Sequence, residues 1–238
     1  KRFHAEGADF GLSSEEELRK LISRYWGLNS LVDEHMGRIL DTLEECGLAD
    51  NTIVVYTSDH GDMMGAHGLI HKTLIFEENM LVPLLIRLPG QEKGRRVLGP
   101  VSHIDLVPTL LDLMGEDALE DLQGQSLAHL LEGEDEVAHA SDVFVEWNGD
   151  NGGVMPRHIQ QMPSEWLAPY GTAEEVTAAV VDPWRAVITP DGWKFVYSQV
   201  GRHELYNLRD DPGEIENLAG DAERAPLMRD LARRIVAW

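Results

Sequence analysis

The stretch Asn51-Thr52-Ile53-Val54-Val55-Tyr56-Thr57-Ser58-Asp59-His60-Gly61-Asp62 decides how this chain is read. Ile53 to Thr57 is a short, β-branched apolar run without polar alternation, the pattern of a strand buried on both faces in a parallel sheet. At Ser58 it breaks into a polar, Gly-rich segment that continues to Lys72, and ligand sites in open α/β sheets gather at the carboxyl ends of strands. Asp59 offers a hard anionic oxygen and His60 an imidazole, a pair compatible with Ca2+, Mg2+, Mn2+ or Zn2+. Two adjacent residues do not complete a coordination shell, so further ligands are expected from elsewhere. The competing reading is a turn stiffened by capping side chains. Three histidines within twelve residues (His60, His67 and His71) favour a ligand site, as does Lys72, one of only five lysines against 15 arginines.

Upstream, Ser14-Glu15-Glu16-Glu17 is a capping box, with three acidic residues suited to the positive end of a helix dipole. Apolar residues then recur at gaps of three and four from Leu18 through Tyr25, Val32 and Ile39 to Leu43, predicting one helix of about thirty residues that stops near Gly47. Gly27 and Gly37 inside it suggest close packing against a neighbour. Downstream, Val82 to Arg87 reads as a second buried strand, Ile104 to Met114 as a helix with Pro108 near its first turn, and Ser126 to Leu131 as a shorter helix. This order indicates a doubly wound α/β layer over residues 1–135. After an acidic linker the texture turns antiparallel: a strand at Val143–Trp147, then a hairpin of Trp184–Thr189 and Trp193–Tyr197 around Pro190-Asp191-Gly192. Glu223 to Val236 closes residues 136–238, the expected small α+β subdomain, with an amphipathic helix. Asn148 to Ala179 reads as a long irregular excursion, and its first part, to Tyr170, is the candidate specificity loop.

The chain has 238 residues, 42 Asp and Glu against 20 Lys and Arg, and a formal charge of −22. A surface this acidic repels phosphate backbones and anionic head groups, so neither nucleic acid nor a membrane is an expected partner. An anionic substrate stays compatible, because a bound cation reverses the field inside one pocket. The single cysteine, Cys46, excludes an intrachain disulfide and a Cys-rich zinc site. No apolar run approaches the roughly 18 residues of a membrane helix. The chain opens Lys1-Arg2-Phe3-His4 without an initiator Met or signal-peptide pattern, as expected of a processed or truncated product, and a cytoplasmic location is the expectation.

Several ordered blocks carry a family resemblance. Asn51 to Asp62, Gly65-Ala66-His67-Gly68-Leu69, Lys72, Val82-Pro83-Leu84 and Pro89-Gly90 follow one another in register. Ser102-His103-Ile104-Asp105-Leu106-Val107-Pro108 and, near the end, Glu204-Leu205-Tyr206-Asn207-Leu208 with Asp210-Asp211-Pro212 continue the series. From about residue 20 onward the chain resembles the C-terminal portion of a sulfatase of the alkaline-phosphatase superfamily. The resemblance implies that Asp59 and His60 are ligands of the active-site divalent cation, Ca2+ in typical sulfatases. It implies that Lys72 contacts the sulfate or bridging oxygen, where negative charge develops as the S–O bond breaks. It also implies a formylglycine nucleophile made within a Cys/Ser-x-Pro-x-Arg motif, which this chain does not contain. Cys46, in Glu-Cys-Gly-Leu on the long helix, reads as structural. The expectation is therefore a sulfate-ester hydrolase, on a small molecule or saccharide, whose present chain alone does not turn over. The alternatives are a phosphonate monoester or phosphodiester hydrolase of the same superfamily, or a non-catalytic sulfatase-like module.

Other residues carry weaker readings. His67 either orients the loop or touches substrate; Asp62 reads as a turn acceptor. His103 and Asp105 are explained by capping, and Trp147, Trp166, Tyr170 and Trp184 by the core more readily than by a substrate pocket. A half-sheet of this kind exposes apolar surface, so either a dimer or an N-terminal segment is expected to cover it.

Overall fold

The computed structural model describes residues 14–70, 72, 75–132, 136–149, 156–168 and 171–238. His71 and Tyr170 fall outside them. The chain divides into two compact units, 1–92 and 93–238.

In the first unit, α1 (Glu15–Glu45) realises the long helix. The Ser14 hydroxyl accepts the Glu17 N–H at 3.3 Å, satisfying one of the orphan donors of the first turn. The helix closes at Cys46, whose N–H reaches Thr42 O at 2.9 Å, and Gly47 takes the left-handed φ of 68° that ends it. No residue of α1 is buried, and Trp26 is 68% exposed, with Leu28, Leu31, Val32 and Ile39 also open. Gly27 and Gly37 do not pack closely as expected: a Cβ on either would meet nothing within 4 Å. Periodicity reports an apolar stripe but not what covers it. An open groove of about 790 Å³ runs between the C-terminal half of α1 and β1 (Val54–Thr57), lined by Met36, Ile39, Leu43 and Val55 among others.

β1 pairs with β2 (Leu84–Arg87) in antiparallel register, Val54 opposite Arg87 and Thr57 opposite Leu84. The expected parallel-type burial on both faces is not what these two strands show, since Tyr56 and Leu85 stand exposed. A short apolar run marks a strand without encoding the direction of its partner, and predominantly parallel sheets of α/β proteins also carry antiparallel pairs. The one-turn helix α2 (Glu77–Met80) lies between them in sequence.

In the second unit, β3 (Val97–Leu98) pairs in parallel with β4 (Val137–Ala138). Between them come α3 (Leu106–Met114) and α4 (Ala128–Leu131). Pro108 sits buried in the first turn of α3, where a missing N–H costs nothing. An antiparallel sheet follows in the order β5-β6-β7-β8, with β5 Val143–Trp147, β6 Trp184–Ile188, β7 Trp193–Ser198 and β8 Glu204–Asn207. The β6–β7 turn forms where Pro-Asp-Gly required it: Gly192 takes φ 92° and Thr189 Oγ1 accepts the Trp193 N–H at 3.0 Å.

α8 (Ala225–Ala237) covers one face of this sheet, and Leu231 completes a buried cluster with Val187, Phe195 and Leu205. Burial of each such side chain contributes about 1.5–3 kcal/mol. The excursion after β5 is more ordered than expected, forming α5 (Pro156–Gln161), α6 (Ser164–Leu167) and α7 (Ala173–Val180). These helices are too short to leave a periodic trace, although the Thr172/Glu175 capping box of α7 stands in the sequence. Among the described residues no helix is long and apolar enough to cross a membrane.

Candidate metal and anion site

The chain leaves β1 at Thr57 and turns at once. The Ser58 hydroxyl donates to His60 O at 2.8 Å, and the His60 N–H donates to Asp59 Oδ1 at 3.0 Å. These local bonds fix the two side chains side by side at the strand end. The His60 ring then makes two contacts, Nδ1 to Gly61 O at 2.8 Å and Nε2 to Lys72 Nζ at 2.8 Å. A carbonyl only accepts and an ammonium only donates, so together they select one tautomer: Nδ1 carries the proton and Nε2 presents its lone pair. A ligating histidine is commonly oriented this way, with its other ring N–H held by a backbone carbonyl.

Asp59 Oδ2 lies 3.5 Å from Nε2, and the Asp59 side chain is 85% exposed. With Nε2 unprotonated, these are two lone-pair atoms facing one another. Two ligand atoms at right angles, each about 2.1–2.4 Å from one ion, stand about 3–3.4 Å apart. The pair thus fits one edge of a metal coordination shell. Among the described residues no third His, Cys, Asp or Glu joins them in a cluster.

The three residues singled out in the sequence are therefore brought together: Asp59, His60 and Lys72 converge although Lys72 is twelve positions beyond His60. The loop between them is tightly turned. Asp62 acts as the expected turn acceptor, taking the Met64 N–H at 2.9 Å, and Met64, Gly65 and His67 all have positive φ. Gly65 lies against Leu18 of α1, where a Cβ would come within 2.8 Å of a methyl carbon. Met63, Leu69, Ile75 and Phe76 are buried, which anchors the loop at both ends.

Other candidates separate cleanly. Asp105 takes the Ser102 N–H at 3.2 Å and the Gln125 N–H at 2.9 Å, a capping and bracing role. Trp147 pairs with Trp184 across β5 and β6, while Trp166 on α6 is exposed. Cys46 is an exposed thiol at the end of α1. Residues 76–80, to which the sequence assigned nothing, turn out to hold the loop: Gly61 donates to Asn79 O at 2.8 Å, and His67 stacks on Phe76 with ring centroids 3.8 Å apart. No motif marks that role, since much of it is carried by backbone carbonyls.

Comparison with known proteins agrees with this architecture. The family model described as Sulfatase matches residues 1–116. The N-acetylglucosamine-6-O-sulfatase of Bacteroides thetaiotaomicron is 33% identical over 205 residues, 84% of this chain and 32% of its own length. The multifunctional alkaline phosphatase superfamily protein PehA of Trinickia caryophylli is 30% identical over 240 residues, 99% of this chain and 43% of its own. A solved phosphonate monoester hydrolase from Silicibacter pomeroyi superimposes with a TM-score of 0.75 at 28% identity, over 96% of this chain and 43% of that one. These matches define an α/β protein of the alkaline-phosphatase type. Within that class the chain belongs to the sulfatase family, whose members use a divalent cation and a formylglycine. It spans roughly a third to two-fifths of the length of these relatives.

Proposed function

We propose that this chain supplies the metal-binding and charge-stabilising portion of a sulfuric-ester hydrolase. The observation that carries the reading is the convergence of Asp59 Oδ2, His60 Nε2 and Lys72 Nζ at the end of β1 in a sulfatase-family chain. A divalent cation seated on Asp59 and His60 supplies Lewis acidity toward a sulfate oxygen. Lys72 supplies the charge-stabilising part: its ammonium hydrogen-bonds a sulfate oxygen or the ester oxygen, where charge accumulates as the S–O bond lengthens. Gly61 O holds the His60 proton on Nδ1, so that Nε2 stays a lone-pair donor.

The remaining ligands and the nucleophile are assigned to the rest of the parent protein. Cys46 does not fit a formylglycine, since it lies outside any Cys/Ser-x-Pro-x-Arg motif and at the far end of α1. The same missing portion is the proposed cover for the exposed apolar face of α1, with a second copy of the chain as the alternative cover. Calcium follows from the resemblance, whereas the imidazole nitrogen is better suited to Mn2+ or Zn2+ than to calcium's usual all-oxygen shell. Metal analysis of the purified full-length protein distinguishes them. The substrate proposed is a sulfated saccharide, in line with the N-acetylglucosamine-6-O-sulfatase relative.

Asp59→Ala in the full-length protein is expected to abolish both cation retention and aryl sulfate turnover. Normal turnover in that variant overturns the assignment. The likeness to a phosphonate monoester hydrolase, and the match of a multifunctional relative along 99% of the chain, favour one second reading: hydrolysis of a phosphonate monoester at the same residues. Rates on paired aryl sulfate and aryl phosphonate monoester substrates decide between the two.

A further inference from the structure

The loop between Asp59 and Lys72 is fastened to residues 76–80 at two points, Glu78 taking part in the first through its backbone carbonyl and in the second through its carboxylate. On the first side, Gly61 donates to Asn79 O at 2.8 Å, and its Cα faces the Glu78 carbonyl so closely that a Cβ would lie 2.0 Å from that oxygen. Gly61 follows His60 directly. On the second side, the His67 ring lies flat on Phe76, 3.8 Å between centroids and 11° between planes, with Nε2 3.9 Å from Glu78 Oε2. His67 reaches this position with φ 56°, a left-handed backbone that few non-glycine residues adopt, so the contacts on α2 hold a conformation the chain alone disfavours. His67 is exposed as a residue, chiefly along its backbone, while its side chain, turned onto Phe76, is 15% exposed.

We infer that His67 and Glu78 are positioning residues that set the spacing between the Asp59–His60 pair and Lys72. The inference rests on the reading of those three residues as the metal and anion site. One fastening holds the segment just after His60, and the other holds the loop at His67, five positions before Lys72. Glu78 bears on the first fastening through its backbone carbonyl and on the second through its carboxylate, so a change of its side chain acts on the loop at His67. His67 accordingly orients the loop rather than contacting the ester.

The test is Mn2+ binding to the full-length protein, read by electron paramagnetic resonance, with thermal unfolding measured alongside. His67→Ala and Glu78→Ala are each expected to weaken Mn2+ about tenfold, the lower end of the effect of losing a residue that orients a metal ligand. Both should alter the Mn2+ line shape while leaving the melting temperature close to wild type. The double variant should bind no worse than the weaker single, because both changes break one contact. His67→Phe keeps the stack on Phe76 and should recover part of the loss; it also carries the test if His67→Ala does not fold. Wild-type affinity and line shape in all these variants, alongside abolished binding in Asp59→Ala, overturns the positioning role and leaves the site intact. Wild-type binding in Asp59→Ala overturns the site itself.

Discussion

Lys72 Nζ stands 2.8 Å from His60 Nε2, bringing the ammonium beside the nitrogen that would ligate a cation. A lysine in this position is not needed to form the loop, since the His60 ring is already held through Nδ1 by Gly61 O. In the proposed reading its value lies in charge. Lys72→Ala in the full-length protein should retain the divalent cation but lose about 10²–10³-fold in kcat, the usual cost of removing one preformed donor from a developing oxyanion. Lys72→Arg should recover only part of this, because a planar guanidinium does not replace a compact ammonium at a point contact. Loss of the cation in Lys72→Ala would show that the lysine builds the site rather than acting within it.

Gly61→Ala is expected to be the most damaging single methyl addition in the loop. The new Cβ would meet Glu78 O at 2.0 Å, a backbone atom that has no rotamer by which to yield. Relief requires the loop and α2 to separate, which breaks the Gly61–Asn79 hydrogen bond. The expected result is a stability loss of about 1–3 kcal/mol, as for other overpacked positions, together with weakened Mn2+ binding. Gly27→Ala, in open space on α1, serves as the control and should be neutral or slightly stabilising by helix propensity. Equal melting temperatures for Gly61→Ala and Gly27→Ala would contradict the close approach.

What was legible follows from the range of the forces involved. The capping box at Ser14 and the three–four spacing that follows act within one helix, so α1 was readable to within two residues of its end. Its exposed stripe was not, because an apolar face names no partner. Asp59, His60 and Lys72 were readable as a group from chemistry and resemblance. The fastening of their loop was hidden, since Glu78 and Asn79 act on Gly61 through carbonyls that every residue possesses. The antiparallel pairing of β1 with β2 was hidden for a similar reason: strand direction depends on a partner remote in sequence.

Glu175 gives the second unit an acid-sensitive joint. Hydrogen bonds from the Thr172 backbone N–H, foremost, and from its hydroxyl hold the Glu175 carboxyl below the usual glutamate range. A depressed folded-state value means that the capping contribution is fully present above the ordinary glutamate pKa of about 4.3 and is lost as pH falls through the lower folded value. The Glu175 carboxyl carbon, followed by nuclear magnetic resonance, should titrate below the ordinary range. Thr172→Ala removes the hydroxyl but keeps the backbone N–H, so it should raise the titration only part of the way back. A titration unchanged by Thr172→Ala would remove the hydroxyl as a cause, and one already in the ordinary range in the wild type would remove the cap itself.

Lys194 and Glu214 form an ion pair at 2.8 Å in which neither side chain has measurable exposure. Lys194 is the second residue of β7, opposite Tyr206 on one side and Ile188 on the other, and its side chain is fully buried. Desolvation offsets much of the attraction in such a pair, yet removing one partner takes from the other its 2.8 Å counter-charge at a place that water does not reach. Lys194→Met is therefore expected to cost about 3–5 kcal/mol in urea unfolding, and Glu214→Leu a similar amount. The double variant, with two apolar side chains facing each other, should recover most of that loss and approach wild-type stability. Simple addition of the two single costs would mean that each residue is held by other neighbours and that the pair contributes no coupling of its own.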